Sequence, residues 1–153
     1  KYKFTAVLSG PEPQRSILES KIVNLFRQLP SECAIIRGKP LSKNHKENNI
    51  DFFAHLNTDK FLDTINNSEI ILCRSGYSNV MDFSALGKKV IFIPTPGQTE
   101  QEYLANYHSE ISKVTSIRQS DISLEKINSN TGTLIQPMSD EGLMNLAFEK
   151  AML

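Results

Sequence analysis

Short apolar runs alternate with longer segments whose apolar residues recur at helical spacing along most of this chain. The apolar runs, which are typical of strands buried on both faces, cover residues 4–8, 34–37, 50–56, 70–73, 89–93 and 114–117. The segments with helical spacing cover residues 13–28, 100–112, 123–129 and 140–152, and two more follow Asn57 or Thr58 and Ser78 or Asn79. This alternation predicts an α/β fold, a Rossmann-like parallel sheet covered by helices with right-handed crossovers.

Residues 38–49 break the alternation. They contain Pro40, lysines, His45 and several asparagines, with little apolar content. Such composition is typical of a surface loop, and we expect it to be mobile and to have no function of its own.

The segment 68–106 has the layout of a ligand-binding strand, turn and helix. Its polar turn, Arg74 to Asn79, follows the apolar run 70–73, and open α/β sheets bind ligands at the carboxyl ends of their strands. We expect Gly76 to take a backbone conformation barred to other residues, and Ser78 or Asn79 to cap the helix. A helix start with an arginine beside it favours an anion, so the turn predicts a phosphate site.

An ordered set of motifs over about forty residues resembles the nucleotide-sugar half of two-domain (GT-B) glycosyltransferases. In particular, the set is similar to that of relatives of the enzyme that adds N-acetylglucosamine to the lipid-linked peptidoglycan precursor. The motifs are Arg74-Ser75-Gly76, Ser78-Asn79, Asp82, Ala85-Leu86-Gly87-Lys88, Pro94 and Glu100-Gln101. The resemblance implies that residues 1–153 are the C-terminal donor-binding domain of a longer glycosyltransferase, one half of a GT-B fold.

The resemblance also implies a role for particular residues. The donor diphosphate is assigned to Arg74, Ser75, Gly76, Ser78, Asn79, Gln14 and Arg15, the ribose to Asp82, the donor sugar to Glu100 and Gln101, and the base to Leu56 and Arg37, with His55 nearby. For Gln14, Arg15, Asp82 and Glu100 the alternative is a solvated or helix-capping side chain. No catalytic residue is expected in this chain, since the acceptor and general base belong to a missing N-terminal domain.

Three departures from the family pattern qualify these assignments. Pro11 and Pro13 replace residues of a glycine-rich turn, so that the backbone there has fewer N–H groups for phosphate. Asp82 stands where the family has a longer glutamate. Glu102 replaces a second amide, and this change bears on which sugar is bound.

The amino-acid composition indicates which partners and sites are not expected. Seventeen basic and seventeen acidic residues give no net charge, so nucleic acid is not an expected partner. Cys33 and Cys73 lie in apolar runs and are expected to be buried, reduced thiols of a cytoplasmic protein. His45 and His108 are expected at the surface. Spacing indicates no metal site and no cofactor, and association with the inner face of the membrane is expected only through the missing part.

Two other functions fit the same residues. One is a UDP-sugar epimerase of the same fold, for which Glu100 and Glu102 could supply acid and base groups. The other is a non-catalytic subunit that lends its donor site to a partner carrying the acceptor domain. The donor is expected to be a UDP-sugar such as UDP-N-acetylglucosamine, used in cell-envelope polysaccharide synthesis.

Overall fold

The computed structural model describes residues 1–135, and these fall into two compact units that divide between Cys73 and Arg74. The helix expected at residues 140–152 lies outside the described residues. In both units strands and helices alternate, which confirms the predicted α/β class.

The first unit is built on parallel strands. Its elements are β1 (Tyr2–Val7), α1 (Gln14–Phe26), β2 (Cys33–Ile36), β3 (His45–Glu47), β4 (Ile50–Phe53), α2 (Thr58–Asn66) and β5 (Ser68–Cys73). The strand order is β3-β4-β2-β1-β5, and every pairing except that of β3 with β4 is parallel. Of the two residues that this helix was expected to follow, Asn57 and Thr58, Asn57 is the cap of α2, because its side-chain oxygen accepts the N–H of Lys60 at 3.0 Å.

Strand β3 corrects the expectation that residues 38–49 form only a loop. His45 to Glu47 pair with β4 in the antiparallel direction, and the His45 ring stacks on Phe52 with centroids 4.5 Å apart. These residues are mostly exposed, because β3 is an edge strand with one neighbour. Apolar periodicity therefore could not predict β3.

The described part of the second unit contains further helices and strands. They are α3 (Tyr77–Ala85), β6 (Lys89–Phe92), α4 (Thr99–Ile111), β7 (Thr115–Ser116), a 3-10 turn (Gln119–Asp121) and α5 (Leu124–Ile127). Strands β6 and β7 are parallel. Ser123 caps α5 by accepting the N–H of Lys126, so the expected helix at 123–129 exists but is only one turn long.

Each unit buries most of the apolar residues of its strands. Phe4, Ile35 and Ile71 of the first unit and Ile91 of the second are fully buried. Cys33 and Cys73 are buried free thiols, as predicted. Burial raises the pKa of the Cys33 thiol to about 11, which keeps it protonated and unreactive at neutral pH.

His108 is a core residue, and the expectation that it lies at the surface is wrong. Its ring, on α4, is fully buried and lies edge-on against Tyr107 and 6.3 Å from the Phe92 ring. Within residues 1–135 neither ring nitrogen has a hydrogen-bond partner. Burial lowers the pKa of His108, so the folded unit holds this imidazole neutral.

We expect acid to destabilise the second unit through His108. The unfolded chain protonates this imidazole below about pH 6.5, whereas the folded unit resists protonation, so the free energy of unfolding falls as the pH drops below that value. His108→Leu should flatten this dependence between pH 7.5 and 5.5 and stabilise the chain at the lower pH. Urea unfolding of the parent and of His108→Leu at the two pH values measures this pH dependence. Equal dependence in the two proteins would contradict the assignment of the effect to His108.

Candidate functional site

The turn that follows β5 is held closed by its own side chains. Asn79 Nδ2 donates to the carbonyl of Arg74 at 3.0 Å, and Ser75 Oγ donates to the carbonyl of Gln101 at 2.6 Å. The second bond joins this turn to the first turn of α4. Two of the predicted motifs, separated by 26 residues, are therefore in direct contact.

Gly76 is the N-cap of α3 and has the ordinary extended conformation, with φ −69° and ψ 154°. The expectation of a special glycine conformation is wrong, and so is the expectation of a Ser78 or Asn79 cap. A Cβ built on Gly76 would meet no atom within 4 Å. The helix thus begins with no side-chain cap and with open space beside its first N–H groups.

Arg74 is a buried residue, with only 1% of its surface exposed. Its Nη1 donates to the carbonyls of Ile93 and Pro94, at 3.0 and 3.3 Å. Burial lowers its pKa to about 10, so the guanidinium is still charged at neutral pH. Arg74 therefore positions the chain just beyond β6, and its contact with a diphosphate stays a prediction.

The turn that follows β6 is tight and contains Pro96. Gln98 N–H donates to the Thr95 carbonyl at 3.1 Å, with Pro96 and Gly97 between them and Gly97 at φ 81°. Gln101 Oε1 accepts the N–H of Thr95 at 2.8 Å. Gln98 is the N-cap of α4, and no side chain caps this helix.

Three of the predicted site residues present exposed polar groups. Ser78 and Asp82 lie four residues apart on α3 and therefore on the same face of the helix, and Glu100 lies in the first turn of α4. Gln101 is half-buried, because its side chain supports the turn at Thr95. The arrangement can offer helix N–H donors, a hydroxyl and two carboxylates to a polar ligand.

The predicted basic residues of the first unit form an ion-pair network. Arg15 is 5% exposed and its guanidinium contacts Glu12 and Glu19, at 2.9 and 2.7 Å, as well as the carbonyl of Arg37. Arg37 Nε contacts the other oxygen of Glu19 at 2.6 Å. Neither arginine is a solvated side chain. Their proposed contacts with diphosphate and base stay predictions, as do those of Gln14, which begins α1, and Leu56, which follows β4.

Metal ligation has no support in the described part of the chain. Among residues 1–135 there is no group of three histidine, cysteine or carboxylate side chains that could hold an ion. Donor binding without a metal stays a prediction. In the same range no helix has the length and hydropathy needed to cross a bilayer.

Comparison with known proteins identifies relatives of this chain. The sequence profile of the glycosyltransferase family 28 C-terminal domain matches residues 16–151. Curated relatives include the UDP-N-acetylglucosamine--N-acetylmuramyl-(pentapeptide) pyrophosphoryl-undecaprenol N-acetylglucosamine transferases of Histophilus somni and Pasteurella multocida. Identity is 32% over 85 residues for the first and 33% over 70 for the second, which is 55% and 45% of this chain. The chain spans only about a fifth of these proteins, 22% and 20% of their lengths.

Solved structures show the same fold. The structure of Acinetobacter baumannii MurG superposes with a TM-score of 0.61 at 16% identity, covering 84% of this chain and 41% of that one. The kitacinnamycin glycotransferase superposes with a TM-score of 0.62 at 13% identity, covering 97% and 36%. Similarity at this identity establishes the Rossmann-like half of a GT-B fold, as predicted.

Proposed function

Because this chain belongs to the glycosyltransferase family 28 C-terminal domains, we propose that it binds a UDP-sugar, UDP-N-acetylglucosamine, as the donor for a glycosyl transfer. The curated relatives are named for that donor. Since the chain spans about a fifth of their lengths, we propose that the acceptor and general base lie on a further domain or on a partner subunit.

One observation carries the proposal: the hydrogen bond from Ser75 Oγ to the Gln101 carbonyl joins the two turns that hold the predicted motifs. It brings the start of α3 and the start of α4 to one place. An extended ligand with an anionic part and a hydroxyl-rich part needs two such neighbouring polar surfaces. A nucleotide-sugar is a ligand of this kind.

The diphosphate would lie at the start of α3. Helix N–H groups and the positive end of the helix dipole stabilise an anion, and the open space beside Gly76 lets ligand atoms approach the backbone. Ser78 adds an exposed hydroxyl. Stabilising the charge that develops on the leaving diphosphate lowers the barrier to displacement at the anomeric carbon.

The ribose would lie on one side of the diphosphate and the donor hexose on the other. Asp82 lies on the helix face that carries Ser78, where a carboxylate can accept the two ribose hydroxyls. Glu100 and the Gln101 amide, in the first turn of α4, would bind the hydroxyls of the hexose. The first turn of α4 carries two glutamates, so this end of the site favours a neutral sugar over a second anion.

We expect the 153-residue chain to bind UDP and UDP-N-acetylglucosamine in a buffer containing a metal chelator. Helix N–H groups, and not a divalent cation, would balance the diphosphate. Isothermal titration calorimetry in EDTA measures this directly. Binding that requires added magnesium or manganese would refute metal-independent binding, and no binding in either buffer would refute the proposed function.

Gly76→Ala provides a variant of the site that should keep its fold. Alanine accepts φ −69° without strain and its methyl group contacts nothing, yet that methyl occupies the space the phosphates need. We expect UDP affinity to fall at least about tenfold with an unchanged unfolding curve. Asn106→Ala, an exposed change on α4, is the matched control.

We expect Asp82→Ala to weaken UDP binding by about 1 to 3 kcal/mol, since charge-assisted hydrogen bonds to the ribose are lost. Asp82→Asn, which keeps a hydrogen-bonding oxygen without the charge, should lose less. Both affinities come from the same titration. If the Asp82 carboxylate contacts only solvent, both variants will bind UDP as the parent does, and this outcome would contradict the ribose assignment.

A further inference from the structure

Residues 39–42 of the first unit form a tight turn that projects from the end of β2. Ser42 N–H donates to the Lys39 carbonyl at 3.0 Å, which places Pro40 and Leu41 at the tip. The base of the turn is fastened to the chain beyond β4. Lys39 N–H donates to the Ala54 carbonyl at 2.7 Å, and Asn44 Oδ1 accepts the N–H of Ala54 at 2.8 Å.

This turn holds an apolar side chain in solvent. Leu41 is fully exposed, and Pro40 beside it is exposed as well. The other large apolar side chains that are exposed within residues 1–135 are partly covered, from 37% exposed for Leu62 to 55% for Ile135. A single leucine on a surface is ordinary, but this one lies at the tip of a turn whose backbone is restrained by a hydrogen bond and by Pro40.

The charges around the tip have one sign. The sequence from Arg37 to Lys46 has four basic residues and no acidic one. Arg37 and Lys46 are paired with glutamates or Asp51, whereas Lys39 and Lys43, which flank the tip, have no ion-pair partner within residues 1–135. The tip therefore has an apolar point between two uncompensated cations.

We propose that this turn, residues 39–43, is a contact point for an anionic lipid bilayer, in which Leu41 enters the interface while Lys39 and Lys43 face lipid phosphates. Charge complementarity selects this partner, since lysines beside an exposed apolar residue are attracted to an anionic bilayer surface. The inference does not rest on the proposed function, although the turn begins two residues after Arg37, which is predicted to contact the base. It places a membrane contact within this chain, in addition to any contact made by a further domain.

Vesicle co-sedimentation of the full 153-residue chain at low ionic strength tests the proposal. We expect binding to phosphatidylcholine vesicles that contain phosphatidylglycerol, and none to pure phosphatidylcholine, because one leucine without charge attraction is too weak an anchor. Leu41→Ser should lower the partition coefficient about tenfold, since it removes the apolar area that enters the bilayer. The double change Lys39→Gln, Lys43→Gln should lower it by a similar factor and reduce its dependence on salt.

Leu62→Ser is the matched control, an exposed leucine on α2 changed in the same way, and should bind as the parent does. Circular dichroism verifies that each variant is folded. No sedimentation of the parent with the anionic vesicles would overturn the proposal, including the case in which the tip instead docks on a protein. Equal losses for Leu41→Ser and Leu62→Ser would overturn it too.

Discussion

Arg74→Ala is expected to lower the free energy of unfolding by about 3 kcal/mol, the largest stability effect we predict. The guanidinium is 1% exposed and donates to the carbonyls of Ile93 and Pro94, so its removal leaves buried acceptors without that donor and opens a cavity. UDP affinity should fall as well, because the turns at the starts of α3 and α4 lose a common support.

Urea unfolding and calorimetry of the same variants separate the two roles of Arg74. Arg118→Ala removes an exposed arginine of the same unit and should leave stability unchanged. Arg74→Lys keeps the charge but has no planar fork of donors to span two carbonyls, so it should recover only part of the stability. If Arg74→Ala unfolds at the parent's urea concentration and yet binds UDP poorly, the guanidinium contacts the diphosphate and does not support the turns.

Two substitutions of Gln101 are expected to affect donor binding differently. Gln101→Ala removes the acceptor for the Thr95 N–H, so the turn from Thr95 to Gln98 loosens and affinity falls for UDP and UDP-N-acetylglucosamine together. Gln101→Glu keeps an oxygen for Thr95 but loses the amide donors. We expect it to retain UDP affinity and to lose about tenfold in affinity for the UDP-sugar, whose hydroxyls would lack those donors.

Titrating each Gln101 variant with UDP and with UDP-N-acetylglucosamine shows whether the side chain supports the turn, contacts the sugar, or does both. Glu100→Ala, one residue earlier on α4, should lower affinity for the UDP-sugar alone, because its exposed carboxylate supports no turn. If Gln101→Glu binds both ligands as the parent does, the side chain has only the structural role that its bond to Thr95 gives it, and sugar recognition lies elsewhere.

Much of the fold could be predicted because its strands are buried on both faces. Such strands are continuous apolar runs, and β5 and β6 stand out in the sequence for that reason. The Asn57 cap was equally legible, since a cap bonds a group three residues away. The turn at Arg74 was predicted as a site because it follows a buried strand, and open α/β sheets bind ligands at the carboxyl ends of their strands. Gln101 was assigned to the site by the resemblance to the family.

The roles of individual residues within the site were harder to predict from the sequence. Gly76 was expected to be needed for its backbone conformation, whereas it has an ordinary one and leaves space. Ser78 or Asn79 was expected to cap α3, whereas Gly76 is its N-cap and the Asn79 amide closes the preceding turn. Local sequence restricts which residues can bond, but several bonds are compatible with the same residues, and the path of the backbone selects one of them.

The sequence by itself determined the alternation of strands and helices and the positions of the two polar turns, because local propensity and apolar periodicity depend on neighbouring residues. The family followed from the ordered set of motifs in the sequence. The tertiary structure alone decided that Arg74 and His108 are buried, that His45 to Glu47 pair with β4, and that Ser75 contacts Gln101. Their partners lie 26 residues away in the case of Ser75, and only the folded chain brings such groups within hydrogen-bond distance.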